Sequence, residues 1–468
     1  MAIIDNQVPK PPPPAPAAPP GRRVVVKLRG APPPTFAAAA FARDSKIRSL
    51  EQDLSGAKVR PYFEELGPPP PAGASMAAAA AQPVFSSYLV IEPPAGTDPL
   101  DLAHTLNGRD DVEIAYVEGG PTPPPVNPVN NPLSGNQGYL AAAPEGIDAR
   151  WAWGHADGSG VDFVDLEQGW TLNHEDLAAA AISIISGLNQ AYTGHGTAVL
   201  GEVVGVDNFI GIVGIAPSAR ARVVSQWRTA SNYQTADAIR SAMSAMRAGD
   251  VLLLEAQTTY PPRTEYLPVE VEQAVYDAIR AATDAGIVVV EAGGNGGVNG
   301  GVDLDKFQDM NGRYILNRLS PDFRDSGAIM VGAAASTSPH GRLSFSNFGS
   351  RIDCYAWGEN VQSTGDGWTG NAINTYTPTF GGTSGASPIV TGAAVLLQAW
   401  AVGRRYSYAP HVLRALLSDP ALNTASANPP VDRIGVMPNL KAIITRELGS
   451  PATSMVGIPA LVGAAETG

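Results

Sequence analysis

Apolar positions recur along this chain at two distinct periods. From about residue 130 onward, short apolar runs of strand length (GVDFVDLE, ARVVSQW, VLLLEA, IVVVEAGG and AIMVGAAA) alternate with Ala-rich stretches whose apolar residues fall at helical spacing. In QTADAIRSAMSAMRAGD, Ile239, Ala242, Met243 and Met246 share one helical face; in VEVEQAVYDAIRAATDAG, Val271, Val275, Ala278, Ile279 and Ala282 form one stripe. Strands this apolar are covered on both faces. Their alternation with helices therefore predicts an α/β three-layer sandwich with a mostly parallel sheet. In such sheets the chemistry lies beyond the carboxyl ends of the strands.

Residues 22–118 carry a different pattern. RRVVVKL, SSYLVIEPP and VEIAYVEGG read as strands, VRPYFEEL as an extended piece or strand, and SKIRSLEQDL and DPLDLAHTL as helices, the second opened by Asp98 and Pro99. This order predicts a small α+β ferredoxin-like module of split βαβ type. Prolines crowd residues 9–34, 68–71 and 121–132, which marks extended arms and linkers. The expected organisation is a Pro/Ala-rich arm (1–21), the α+β module (22–118), a linker and processing region (119–138), the large α/β domain (139–448) and a flexible tail (449–468).

Charge and composition narrow the function. A formal net charge of −13 with no local Lys/Arg cluster disfavours nucleic acid and anionic membrane surfaces as partners. Cys354 is the only cysteine, so neither an intramolecular disulfide nor a Cys-based metal cluster is expected. The N-terminus lacks the basic start and apolar run of a Sec-type signal peptide, and Gly and polar residues interrupt the apolar runs before they reach membrane-spanning length. The localisation left open is cytoplasmic, or exported by a non-Sec route.

Four residue types needed for acyl transfer stand at the predicted strand ends and helix starts. Asp165 closes GVDFVD, His195 sits where a loop gives way to an apolar helix in TGHGTAVLGEVVG, Asn295 follows IVVVEAGG, and Ser384 begins the helix of GGTSGASPIVTGAAVL. Acyl transfer needs a hydroxyl nucleophile, an imidazole to take its proton, a carboxylate to orient that imidazole and a donor for the oxyanion. Singly, each has a structural explanation: a solvated carboxylate, a satisfied loop histidine, a turn former, a helix cap. Together, in this order, they resemble the signature segments of the subtilisin-like serine peptidases over about residues 140–445.

That resemblance implies a serine endopeptidase with Ser384 as nucleophile, His195 as general base and then acid, and Asp165 orienting the imidazole. Asn295 would serve the oxyanion, with the backbone N–H of Ser384. Glu255, Ala256, Gln257, Gly293 and Gly294 stand where the family's substrate-binding segments lie. Glu255, and less directly Glu291, would bias the pocket toward a basic residue. Glu167 shares a strand face with Asp165 and receives no role. The module at 22–118 resembles a propeptide that inhibits its own enzyme, giving a self-inhibited precursor cut between Glu118 and about Gly138. The partners expected are thus a polypeptide substrate and the chain's own N-terminal module. No cofactor is expected, and no metal, although VDLDKFQD offers oxygen donors for structural calcium without EF-hand spacing. Two other readings stay open: a permanently inhibited or non-catalytic fold that binds peptides or proteins, and an esterase using the same triad.

Overall fold

The computed structural model describes residues 23–29, 45–54, 57–62, 87–93, 97–117, 126–297 and 299–449. The expected arm (1–21), Glu118 at the end of the expected module, residues 119–125 of the expected processing region and the tail beyond Gly449 lie outside the described residues. The chain divides into two compact units, Met1–Pro124 and Pro125–Gly468.

In the first unit, strands β1 (Val24–Leu28), β2 (Lys58–Pro61), β3 (Tyr88–Glu92) and β4 (Val112–Val117) form an antiparallel sheet in the order β2-β3-β1-β4. The helices Ser45–Asp53 and Pro99–Asn107 set Ile47, Leu50, Leu102 and Leu106 against Val24, Val26, Leu89 and Ile91. The second helix starts where the sequence places its start: the Asp98 carboxylate accepts from the Leu100 N–H at 2.7 Å, and Pro99 takes the first turn, where no backbone donor is needed. This is the expected split βαβ arrangement.

The second unit contains, in chain order, β5 (Asp162–Glu167), β6 (Ser183–Ser186), β7 (Arg220–Ser225), a ribbon of β8 (Trp227–Thr229) and β9 (Asn232–Tyr233), and β10 (Val251–Leu254). There follow a ribbon of β11 (Gln257–Thr259) and β12 (Tyr266–Pro268), then β13 (Val288–Ala292), β14 (Ile329–Ala334) and β15 (Cys354–Trp357). A third ribbon, β16 (Val361–Thr364) and β17 (Tyr376–Phe380), precedes the short β18 (Thr424–Ala425) and β19 (Val436–Met437). Nine of these strands form one sheet, β18-β19-β15-β14-β13-β10-β5-β7-β6, parallel except for the β18–β19 pair.

Strand alternation sorts the core into two layers. Phe163, Val223, Leu253 and Val290 pack into one cluster with the helix Thr383–Val402. Val164, Val224, Leu252 and Val289 pack into the other, with the helices Thr235–Met243 and Gln273–Asp284. Contrary to the sequence reading, Thr383–Val402 is long and apolar enough to cross a membrane by composition, but 94% of its most apolar window is buried in the protein, as suits a central core helix.

Residues 126–138 are not the extended linker expected. They form short 3-10 turns, Pro128–Asn130 and Ser134–Asn136, and belong to the second unit. Asn131 donates to the Asp207 carboxylate at 2.7 Å, and the fully buried Gln137 bridges to Val213 through both its amide N–H and its carbonyl. These polar side chains find partners only on the folded domain, which outweighs the local preference of proline for an extended path.

Glu291 and Glu270 lie inside this unit beside the fully buried Arg351, whose guanidinium forks onto Glu270 at 2.7 and 3.0 Å and reaches Asp353 at 2.8 Å. Glu291 accepts the backbone N–H of Glu270 at 3.0 Å. Removing Arg351 strands buried carboxylates, so Arg351→Ala is expected to cost about 3–5 kcal/mol. Denaturant unfolding of the variant beside wild type measures this loss.

Candidate active site

The carboxyl end of β5 carries the first functional group. Glu167 is the strand's last residue, 2% exposed, and its Oε1 accepts a hydrogen bond from His195 Nδ1. Asp165, expected to hold this histidine, does not: it stands two residues upstream, roughly 7 Å back along the strand, where its Oδ2 accepts the indole N–H of Trp170 at 2.6 Å. The correction has a physical cause. Both side chains share one face of β5, but only the last position, with the longer side chain, reaches the loop and helix beyond the sheet.

His195 is the third residue of the helix Thr193–Val204. Its ring meets the edge of Phe380 with centroids 5.2 Å apart, and its Nδ1 is engaged by Glu167, so Nε2 is the nitrogen left for chemistry. Burial pushes the imidazole down, but the charge and hydrogen bond of Glu167, with any charge on Glu255, push it up, and the net direction is above the ordinary histidine value.

Ser384 is the second residue of the helix Thr383–Val402. Asn295 caps that helix start from the loop after β13: its Oδ1 accepts from the Thr383 N–H at 2.8 Å and from Thr383 Oγ1 at 3.1 Å. With the carbonyl so occupied, the Asn295 amide N–H₂ is the end free to donate. Gly382 holds φ at 83°, and a Cβ there would stand 3.4 Å from Asn295 Nδ2 and 3.6 Å from the Ser384 nitrogen. A glycine is needed both for the backbone angle and to leave that spot open. The glycine-rich loop is fixed from the other side by Gln257, whose Oε1 accepts the Asn295 N–H at 3.1 Å.

His195, Ser384, Asn295 and Gln257 line one cleft of about 270 Å³. Ser384 and His195 share it without a hydrogen bond between them, as is common where no substrate closes the site. The segment between β16 and β17 forms a wall of the cleft that sequence reasoning missed. Trp368 lends its carbonyl to the His195 N–H at 2.8 Å and packs edge-on against Tyr192 with centroids 5.0 Å apart. Asp366 braces this wall by accepting the N–H groups of Trp368 and Gly370, both at 2.8 Å. Trp368 is 60% exposed, a large apolar surface at the mouth of a cleft. Its only sequence signal was the aromatic residue in a Gly-rich run, GDGWTG.

Of the expected substrate-binding residues, Gln257 alone lines the cleft. Ala256, Gly293 and Gly294 are buried, with the Gly293 carbonyl taken by Asn347 at 2.8 Å. Glu255 points behind the site, onto Ser387 Oγ of the serine helix. Since Glu255 is buried and Glu291 belongs to the Arg351 network, the expected basic-residue pocket is not built by either. Desolvation pushes Glu255 well above the carboxylate range, the charge of His195 pulls it back, and Glu167 raises it. Glu202, one layer deeper on the His195 helix, is also buried and pushed up by desolvation and by Glu255. Glu167, His195 and Glu255 each bring one oxygen or nitrogen within 4.8 Å of the others, but the hydrogen bonds divide them: Glu167 pairs with His195, and Glu255 with Ser387.

In VDLDKFQD, Asp303 and Asp305 pair with Arg433 at 2.7 and 2.9 Å, and Asp309 pairs with Arg313 at 2.6 Å. Those oxygens are thereby engaged in ion pairs.

The sequence pattern of the Subtilase family matches residues 173–439. Subtilisin Savinase of Lederbergia lenta is 32% identical over 245 residues, covering 52% of this chain and 77% of its own. Subtilisin NAT of Bacillus subtilis subsp. natto is 27% identical over 301 residues, covering 62% of this chain and 66% of its own. A protease from Pseudoalteromonas arctica PAMC 21717 aligns in structure over 68% of this chain and 99% of its own, at 21% identity and a TM-score of 0.49.

Proposed function

The chain belongs to the subtilase family and is a subtilisin-like serine endopeptidase, and on that premise we propose that it cleaves polypeptides through Ser384, His195 and Glu167. The observation that carries this assignment is the hydrogen bond from His195 Nδ1 to Glu167 at the edge of the cleft that Ser384 lines. With Nδ1–H donated to Glu167, the imidazole holds the tautomer in which Nε2 can take the Ser384 Oγ proton. Ser384 Oγ then attacks the scissile carbonyl, and the oxyanion is met by the Asn295 amide and the Ser384 N–H at the positive end of its helix. His195 returns the proton to the leaving amine, and a water activated by the same nitrogen releases the acyl group.

Asn295 contributes both a donor and a cap. Asn295→Ala is expected to lower kcat by about 10²–10³-fold, with a much smaller change in KM. Steady-state kinetics on a peptide substrate measures the split.

The test of the whole assignment is labelling by a fluorophosphonate. Mass spectrometry is expected to place the adduct on the peptide that contains Ser384. An adduct elsewhere, or none in an enzyme that still cleaves peptides, rules the assignment out. We further assign the first unit as an intramolecular inhibitor, supported by its compact βαβ sheet and by Ile114 and Tyr116, apolar yet 46% and 42% exposed, on the edge strand β4.

A further inference from the structure

Glu255 is the buried ionisable group that this mechanism leaves unused. It follows directly on β10, and its Oε1 is hydrogen-bonded to Ser387 Oγ. The same hydroxyl lies 2.7 Å from the Thr383 carbonyl oxygen, one helical turn back. A hydroxyl carries one proton, and a carbonyl oxygen can only accept. With that proton in the usual back-bond of a helical serine, to Thr383, none is left for Glu255. The contact between Ser387 and Glu255 therefore needs a second proton, and Glu255 is the partner that brings it.

The surroundings favour the same occupancy. Asp165 and Glu167 face this region from β5, and His195 and Glu202 face it from the helix Thr193–Val204. The serine helix, Thr383–Val402, contains no ionisable residue. Glu291 lies beside Leu254 in the sheet register, on the opposite face of the sheet, and binds the Glu270 N–H. Among the described residues His195 is the single group here able to become cationic, and Glu167 already holds it. Glu255 Oε2 and both Glu202 oxygens are buried without a hydrogen-bond partner, a state tolerable for a neutral acid and costly for a carboxylate.

We propose that Glu255 is a positioning residue kept as a neutral carboxylic acid, donating to Ser387 Oγ and so keeping a second negative charge away from His195 while the imidazole acts as a base. The inference rests on the assignment of His195 as that base. Were Glu255 to lose its proton, His195 would lie between two carboxylates and be held as imidazolium, unable to accept from Ser384. Burial of Glu255 favours its neutral form and so agrees with the hydrogen-bond count.

Two measurements test this. In full-length Ser384→Ala protein carrying ¹³C-labelled glutamate carboxyls, the Glu255 resonance, assigned by its loss in the added Glu255→Gln variant, is expected to stay at the protonated position through about pH 6–7. An ionised Glu255 at about pH 6 overturns the proposal. In the active enzyme, Glu255→Ala is expected to lower kcat/KM by about tenfold or more. Glu255→Gln, a neutral donor of the same shape, is expected to restore it to within about threefold and to keep the acidic limb of the pH profile in place. A fall of that limb by about one pH unit or more in Glu255→Gln would mean that a charge had been removed, and it too overturns the proposal. If Glu255→Gln does not fold, the glutamate spectra of the Ser384→Ala and Ser384→Ala/Glu255→Asp proteins decide. Activity of Ser384→Ala itself is assayed first, so that failure of the triad assignment is seen separately from the protonation state of Glu255.

Discussion

Glutamine at position 167 is expected to reduce kcat by about 10⁴-fold, while asparagine at position 165 leaves it within about tenfold. The contrast follows from who holds the imidazole. Glu167 accepts from His195 Nδ1, so its amide counterpart can present an N–H to that nitrogen, force the wrong tautomer and offer no charge to the imidazolium that forms. Asp165 bonds the Trp170 indole inside the fold and contributes packing and polarity behind the site. The pH profile separates the two variants further. Glu167 raises His195, and a raised imidazole must lose its proton at higher pH before it can act as a base, so wild-type activity falls as pH drops through a value above 6.5. Removing the Glu167 charge takes away that support, and the residual activity of Glu167→Gln is expected to have its acidic limb at lower pH. An Asp165→Asn enzyme that loses activity as deeply as Glu167→Gln would return the orienting role to Asp165.

Much of this site was legible because its parts are set by backbone geometry with strong sequence marks. The periodic apolar runs place the strands, and glycines mark the turns where His195, Asn295 and Ser384 emerge. Glu167 was not legible for a specific reason. Within a strand, residues two apart share a face, and what chooses between them is where the strand ends, the least certain feature of any strand read from sequence. With Asp165 read as closing the strand, Glu167 received no role; the observed strand runs on to Glu167, with a bend at Gln168 beyond it. The pocket residues failed in another way. Glu255 stands beside the cleft in sequence, but the residue after β10 turns inward to Ser387, and no local pattern distinguishes an inward from an outward carboxyl. Trp368 and Asp366 reach the cleft only because a long hairpin segment folds back onto the His195 helix, a contact between residues more than 170 apart.

Ser384→Ala is expected to lose about 10⁶-fold in kcat, fail to take a fluorophosphonate and stay at full length, whereas wild type is expected to shed its first unit. The size of the loss reflects the nucleophile's place in a unit of three: once Ser384 is gone, His195 and Glu167 have no proton to move, and binding plus the Asn295 donor supply what remains. The fold also bears on where the proposed self-cleavage is expected. Residues 126–138 are tied to the second unit by Asn131 and Gln137, so a strand of that segment cannot lie extended in the cleft without breaking those bonds. The proposed self-cleavage is therefore expected before Val126, and within GGPTPPP the bonds that proline does not follow are those preceding Gly119, Gly120, Thr122 and Val126. N-terminal sequencing of the mature protein is expected to begin at one of these four residues. A start beyond Asn131 would show that the folded segment opens before cleavage. A trimmed Ser384→Ala protein, purified away from other proteases, would remove self-processing from the scheme.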